Sequence, residues 1–206
     1  MSDMYFTRVP GSASRPEECN VEWRGERLRF VTDAGVFSRG EADRGSIILL
    51  DALPPLTGDV LDLGCGWGLL GVALGRVNPG IRLTMVDVNT RALGLAEENA
   101  RANGVPARVL ESDGFSALGE ERFDAVITNP PIRAGKQVIY GLFDAAADHL
   151  KPGGALYLVI RKQQGAESCE KHLRGRFGDV RRLCREAGFW VLRASGAPED
   201  AGQPEP

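Results

Sequence analysis

Three stretches of this sequence bring together residue types able to hold a nucleotide-like ligand and to handle an amine. The first is Asp62-Leu63-Gly64-Cys65-Gly66-Trp67-Gly68. Its three glycines let the backbone turn sharply and approach a ligand with no Cβ in the way, and a following helix would offer free amides. The second is Asp87, 25 residues beyond Asp62, where a carboxylate ending a strand can accept from ribose hydroxyls. The third is Asn129-Pro130-Pro131-Ile132. The glycines alone leave the nucleotide open, because Gly66-Trp67-Gly68-Leu69-Leu70-Gly71 also satisfies the dinucleotide pattern G-x-G-x-x-G. Asp87 serves NAD and S-adenosylmethionine equally. Asp62 separates them: a carboxylate beside the loop suits the ammonium of a methionine moiety and repels a pyrophosphate. Asn129-Pro130-Pro131 points the same way, since hydride transfer has no use for it. Asp113, in Ser112-Asp113-Gly114, either meets an adenine amino group or caps the next turn.

Exocyclic amines of bases and amides are poor nucleophiles because the nitrogen lone pair is delocalised. The Asn129 side-chain oxygen and the Pro130 carbonyl can accept the two N–H groups, aiming the lone pair and favouring positive charge on nitrogen. Two prolines stiffen those acceptors. Position 132 is Ile, so the motif lacks an aromatic platform; an aliphatic face or a ring from elsewhere, such as Phe37, has to serve. Arg133 and Lys136, in the same loop, are placed to meet backbone phosphates.

The elements that must position these residues are legible as alternating periods. Val60–Leu63, Leu83–Val86, Ala107–Leu110, Ala125–Thr128 and Leu156–Ile160 read as buried strands. Leu69–Arg76, Arg91–Asn103 and Val138–Leu150 read as helices, the second closed by Gly104 and the third by Pro152-Gly153-Gly154. Such alternation implies an α/β fold with a parallel sheet covered on both faces and a ligand at the carboxyl ends of its strands. A helix over Ala166–Arg174 precedes Val180–Cys184 and Phe189–Ala194, a closing hairpin turned at Ala187-Gly188 that inserts an antiparallel strand. Upstream, residues 1–18 read as an extended arm. Asn20–Trp23 and Leu28–Thr32 form a small hairpin around Arg24-Gly25-Glu26. Ser38-Arg39-Gly40-Glu41 reads as a capping box opening a helix that ends before Pro54-Pro55. The domain boundaries follow: arm and hairpin over 1–36, a catalytic α/β domain over 37–196, a flexible tail over 197–206.

Bulk properties exclude several classes. No apolar run among the 206 residues reaches the roughly 18 a membrane span needs, and Met1 to Pro10 lacks the layout of a secretory signal, so a cytoplasmic location is expected. Four scattered cysteines (Cys19, Cys65, Cys169, Cys184) with no C-x-x-C pair, and only two histidines, imply reduced thiols and no metal site. His149 and His172 receive no role. The net charge of −3 does not announce a nucleic-acid binder, yet Lys151–Arg193 carries ten Lys/Arg against four Asp/Glu. That face can hold RNA phosphates or serve as a solvated surface.

With these residues in view, the chain resembles the class I S-adenosylmethionine-dependent methyltransferases of the "methyltransferase small" group. Within it, the similarity is to bacterial ribosomal small-subunit RNA guanine-N2 methyltransferases and their single-domain relatives. Tyr5-Phe6-Thr7, Gly35-Val36-Phe37-Ser38, Asp43 through Gly45-Ser46, the Asp62 loop, Asp87-Val88-Asn89, Asn129 through Lys136, Lys151-Pro152-Gly153-Gly154 and Lys162-Gln163-Gln164-Gly165 carry the resemblance. It implies a Rossmann-like seven-stranded sheet, mostly parallel with the last strand antiparallel. It also implies S-adenosyl-L-methionine as cofactor and ribosomal RNA or the small ribosomal subunit as partner. Family cofactor contacts map onto Gly64, Gly66, Asp87, Asn129 and, less closely, Asp113. The two-domain enzymes begin with a degenerate copy of the domain, for which this chain has no room. The complete candidate site is then Asp62, Gly64, Cys65, Gly66, Asp87, Val88, Asp113 and Asn129 for the cofactor, and Asn129, Pro130, Pro131 and Ile132 for catalysis. Phe37, Arg133, Lys136 and Lys162 are the candidates for acceptor binding. A protein glutamine amide or an adenine N6 is an alternative acceptor, and a non-catalytic RNA-binding module is the reading from another class.

Overall fold

The computed structural model describes residues 7–196. Two sheets form. Strands β1 (Glu17–Trp23) and β2 (Glu26–Thr32) make an antiparallel hairpin, turned at Arg24-Gly25, both with positive φ. The larger sheet has seven strands: β3 (Gly58–Leu63), β4 (Ile81–Asp87), β5 (Ala107–Glu111), β6 (Phe123–Thr128), β7 (Leu150–Arg161), β8 (Asp179–Glu186) and β9 (Phe189–Ser195). Their order is β5-β4-β3-β6-β7-β9-β8, parallel except for β9, which runs against both its neighbours. The connections are α1 (Arg44–Ala52), α2 (Leu69–Val77), α3 (Thr90–Ala102), α4 (Lys136–Asp148) and α5 (Ala166–Arg174). The expected Rossmann-like architecture is the observed one.

Continuous apolar runs are what a sheet buried on both faces requires. Alternate residues go to opposite layers: Val60, Met85, Ile127, Tyr157 and Val191 join the core under α1, α2 and α3, while Leu61, Val86, Val126, Leu156 and Leu192 join the core under α4 and α5. The N-terminal hairpin belongs to the first core, since Val21, Trp23, Leu28 and Phe30 pack into it. Phe30 meets Trp67 edge-on at 5.0 Å, and the buried Asn99 of α3 locks the contact. Its amide accepts from Val31 N and donates to Val31 O and Trp67 O, at 2.7, 2.9 and 2.8 Å. Asn103, one turn on, repeats the bridge to both backbone groups of Arg29.

Three local expectations are corrected. The first helix is opened by Asp43, whose carboxylate accepts from Ser46 N, and not by a Ser38–Glu41 box. Ser38 instead has a left-handed backbone (φ 53°), and its hydroxyl donates to the Glu41 carbonyl within a tight turn. Pro152-Gly153-Gly154 does not close α4, which ends at Asp148. The segment lies inside β7 as an irregularity, so that Phe123 faces Leu150 and Ala125 faces Ala155. Gly154 has no room for a Cβ, which would meet the Phe123 carbonyl at 2.8 Å. The extended arm gives way to strand at Glu17, and its described part is tied down: Arg8 O accepts from Thr90 N, and Ser14 donates to Asp33. The tail expected over 197–206 and the Tyr5-Phe6 motif lie outside the described residues. Among the described residues no helix is long and apolar enough to cross a membrane.

Asn99 connects three backbone groups, two of them on half-buried Val31 of the hairpin and one on buried Trp67 of the glycine loop. Asn99→Ala is expected to cost about 3 kcal/mol in urea-monitored unfolding, the scale of leaving buried polar groups unpaired. A loss below about 0.5 kcal/mol, the range of an ordinary surface change, would show that the hairpin is held by packing alone.

Candidate active site at the carboxyl rim of the sheet

Because β3, β4, β5, β6 and β7 run in parallel, their following loops open on one rim. The chain walks outward from β3 to β5 and then returns to place β6 beside β3, which leaves a crevice at the reversal. The glycine loop and Asn129-Pro130-Pro131 therefore become neighbours. Thr128 Oγ1 donates to Leu63 O at 2.8 Å and pins the two strand ends together.

Gly64, Gly66 and Gly68 all have positive φ, which is why these positions need glycine. A Cβ on Gly64 or Gly66 would project into open space. Gly64 N and Cys65 N both donate to Val86 O at 2.9 Å, holding the loop against the end of β4. Asp87 does the rest: its two oxygens accept from Gly66 N and Asn89 N, each at 2.8 Å. Burial raises the Asp87 carboxyl above its ordinary value, against the pull of the Asn89, Gly66 and Val88 amides. A roof closes over this loop. Trp67 Nε1 donates to Phe37 O at 2.9 Å, Asn89 Nδ2 to Gly35 O at 2.9 Å, and Arg91 to Ala34 O and Ser12 O.

Two cavities result. A chamber of about 360 Å³ is bounded by Gly64, Asp87, Val88, Asp113, Pro131 and Leu142, among others. A cleft of about 870 Å³ is bounded by Asp43, Ile132, Arg133, Arg161, Gln164 and Phe189, among others. Phe37, Asn129 and Pro130 line both. Asn129 thus stands at the junction, and its amide is oriented: Nδ2 donates to Asp43 Oδ2 at 2.8 Å and to Ser46 Oγ at 2.9 Å. With both amide hydrogens engaged, Oδ1 is left as an acceptor for a ligand.

Of the residues expected at the site, Gly64, Asp87, Val88, Asp113, Asn129, Pro130, Pro131 and Phe37 line the chamber, and Ile132 and Arg133 line the cleft. Asp62, Cys65, Gly66, Lys136 and Lys162 line neither. Gly66 acts through its amide on Asp87. Cys65 is buried, and desolvation pushes its thiol far above the usual range, with Asp87 and Asp62 adding to it. Lys136 and Lys162 are exposed, on the first turn of α4 and on the short 3-10 turn after β7. Sequence reasoning missed Asp43 and Ser46 as partners of Asn129. The spacing of an Asp three residues before a Ser ahead of an apolar run would have revealed the helix cap. It also missed Arg161 and Phe189, for which no local signal exists, and gave Gln164 no role although Lys162-Gln163-Gln164-Gly165 carries part of the resemblance.

The profile of the methyltransferase small domain matches residues 27–193. The chain belongs to that family. An uncharacterised protein of Bacillus subtilis, YbxB, is 37% identical over 198 residues, covering 94% of this chain and 98% of its own. Ribosomal RNA small subunit methyltransferase C of Vibrio cholerae is 39% identical over 143 residues, covering 68% of this chain and 42% of its own. The structure of a T. thermophilus 16S rRNA guanine-N2 methyltransferase in complex with AdoMet and guanosine superposes with a TM-score of 0.79 at 32% identity, over 90% of this chain and 51% of the other. The chain therefore spans nearly all of one relative and about half or less of the ribosomal RNA methyltransferases it matches. The S-adenosylmethionine-dependent methyltransferase class expected from the sequence holds.

The chamber suits that cofactor. Asp62 is fully buried beneath the loop, with Oδ2 accepting from Gly71 N at 2.8 Å and Oδ1 without a hydrogen-bond partner. Because Asp62 lies outside the chamber lining, an ammonium held at the loop would reach that oxygen through a bridging water, which would supply the missing donor. Gly71 must be glycine, since a Cβ would meet Met85 Sδ at 2.8 Å and Asp62 Oδ2 at 3.0 Å. Among the described residues no cluster of three or more His, Cys, Asp or Glu could hold a metal ion.

Burial pushes the Asp62 carboxyl from 3.8 up to about 7; the Gly71 amide opposes this and the nearby Asp87 charge adds to it. Between those values the folded chain keeps a proton the unfolded chain has released. Stability without cofactor therefore falls as pH rises through that window, by up to about 1.4 kcal/mol per pH unit. Asp62→Asn removes the Asp62 share of that slope and leaves the share of Asp87, whose carboxyl burial also raises. Thermal melts without cofactor are expected to place the variant above the wild-type protein at about pH 8, with the advantage shrinking as pH falls towards about 4. Calorimetry should show weaker cofactor binding in the same variant. Parallel melting profiles would mean that another group titrates.

Proposed function

We propose that this protein transfers a methyl group from S-adenosylmethionine to the exocyclic N2 amine of a guanine in small-subunit ribosomal RNA. The observation that carries this reading is the fixed Asn129 amide, whose free oxygen stands on the wall shared by the two cavities. The relatives named for 16S or small-subunit RNA methylation, one of them holding guanosine, support the acceptor.

When bound in the chamber, S-adenosylmethionine supplies an electrophilic sulfonium methyl. Asp87 is suited to accept from the ribose hydroxyls and Asp113, on the same chamber wall, from the adenine amino group. In the cleft, Asn129 Oδ1 and the Pro130 carbonyl accept the two N–H groups of the incoming amine, directing the nitrogen lone pair towards the chamber. Both acceptors would bind the positive charge that develops on that nitrogen during methyl transfer more strongly than they bind the neutral amine. The methylated amine would then release its proton to water at the open cleft, the two oxygens acting as hydrogen-bond acceptors and not as bases. Asp43 and Ser46 act as positioning groups: by taking both Asn129 amide hydrogens they keep the acceptor end facing the substrate. Arg133, on the cleft wall, and the exposed Lys136 and Lys162 are suited to RNA phosphates flanking the target.

Incubation with radiolabelled S-adenosylmethionine and 30S subunits, naked ribosomal RNA or cell protein tests the acceptor. Label is expected in guanine N2 of the RNA. Label in protein alone would move the acceptor to a glutamine amide, and label in adenine would move it to N6. No transfer to any acceptor, with the cofactor bound, would favour a binding module. Asn129→Ala is expected to lower turnover by about a hundredfold or more while leaving cofactor binding within a few fold. Asp43→Asn preserves a helix-capping side chain but disturbs the Asn129 amide orientation. It should lower turnover by about tenfold or more with little change in melting temperature. Equal turnover in that variant would remove Asp43 from the positioning role.

A further inference from the structure

The motif offers no ring at Ile132, yet the wall of the same cleft carries a flat, charged surface. Arg161 ends β7, and cross-strand pairing sets it directly against Phe189, the first residue of β9. Its guanidinium carbon lies over the Phe189 ring, 4.6 Å from the centroid. The ring is itself buried and backed by the start of α1, where a Cβ on Gly45 would come within 2.8 Å of it. Lys162 N donates to Gly188 O at 2.8 Å and closes the strand pair beside the stack. Arg161 remains exposed on its outer side, lines the cleft with Asn129 and Ile132, and has no carboxylate partner among the described residues.

We propose that Arg161, supported by Phe189, is the stacking surface for the target purine, in place of the aromatic residue that Ile132 displaces. This deepens the ribosomal RNA reading and rests on it. A guanidinium is planar, weakly hydrated and able to stack on a ring with one face while offering the other to a base. Lysine keeps the charge but not the plane. A base lying on this surface is sandwiched towards the aliphatic side of Ile132 and Pro130, with its exocyclic amine free to reach Asn129. The pair is assembled by strand register, so the surface exists before any ligand arrives.

The test uses the full chain loaded with S-adenosylhomocysteine, titrated with guanosine and with guanosine 5′-monophosphate, for the wild-type protein, Arg161→Ala and Arg161→Lys. Both substitutions are at an exposed side chain and should leave the melting temperature close to that of the wild-type protein. Guanosine affinity is expected to fall about tenfold or more in Arg161→Ala, the scale of one lost stacking partner, and Arg161→Lys should not restore it. Methyl transfer to ribosomal RNA should lose kcat/KM in parallel in both variants, and Phe189→Leu should show a smaller loss of the same kind. Wild-type guanosine affinity in Arg161→Ala would overturn the proposal. So would rescue by Arg161→Lys, or a loss confined to the monophosphate, since either makes Arg161 a phosphate contact. Those results leave RNA methylation by the wild-type protein intact. A wild-type protein that transfers no methyl to RNA would overturn the underlying reading and this proposal with it.

Discussion

Pairing of β3 with β6 is the constraint from which the site follows. The chain reaches β6 only after passing outward through β4 and β5, so this pairing is long-range, and it sets two loops distant in sequence shoulder to shoulder. Thr128 fastens the far end of the pair to Leu63. One residue later the backbone turns into Asn129, and on the other strand into Gly64. Neither loop needs to be long, because the strands do the positioning. Moving the β3–β6 register by one residue would turn every side chain of β6 to the opposite layer, so the two cores enforce the alignment of the loops.

Electrostatics at the rim are arranged with few charges. Asp62 and Asp87 both sit at the glycine loop, and burial raises both carboxyl groups rather than lowering them. Backbone amides of Gly71, Gly66 and Asn89 offset part of that cost. Two carboxylates drawn towards neutrality form a site that gains from a cation and from hydroxyl donors. This matches a ligand that carries an ammonium at one end and a ribose in the middle. The cleft is different: there a neutral amide is steered by Asp43 and Ser46, and among the described residues the only formal charges on its wall besides Asp43 are the guanidinium groups of Arg133 and Arg161. The two halves of the site therefore ask for chemically distinct ligands.

The N-terminal hairpin contributes to the same end from outside the large sheet. Phe30 packs on Trp67, Asn99 joins both to α3, and Trp67 in turn holds the Phe37 carbonyl at the roof of the two cavities. The hairpin and the glycine loop are thus joined through Asn99 and Trp67 by a continuous set of hydrogen bonds. The family match begins at residue 27, inside β2, and so takes in that strand but not β1.

The apolar periods, the glycine loop, Asp87 and Asn129-Pro130-Pro131 are local patterns, and by itself the sequence determined the α/β class, the direction of the strands and the kind of ligand. Element ends followed to within a few residues, except where two local signals competed. Ser38 and Asp43 could each open α1, and Pro152-Gly153-Gly154 could end a helix or interrupt a strand; in both cases the neighbours in space chose. Tertiary structure alone decided which side chains face the ligand cavities. Asp62 went beneath the loop and Lys162 outside the cleft, while Asp43 and Ser46 at the start of α1, Arg161 of β7 and Phe189 of β9 came to the site from three different elements. The reason is geometric: periodicity reports which face of its own strand or helix a residue occupies, whereas a binding wall is made where several elements meet, and no one-dimensional spacing encodes that meeting.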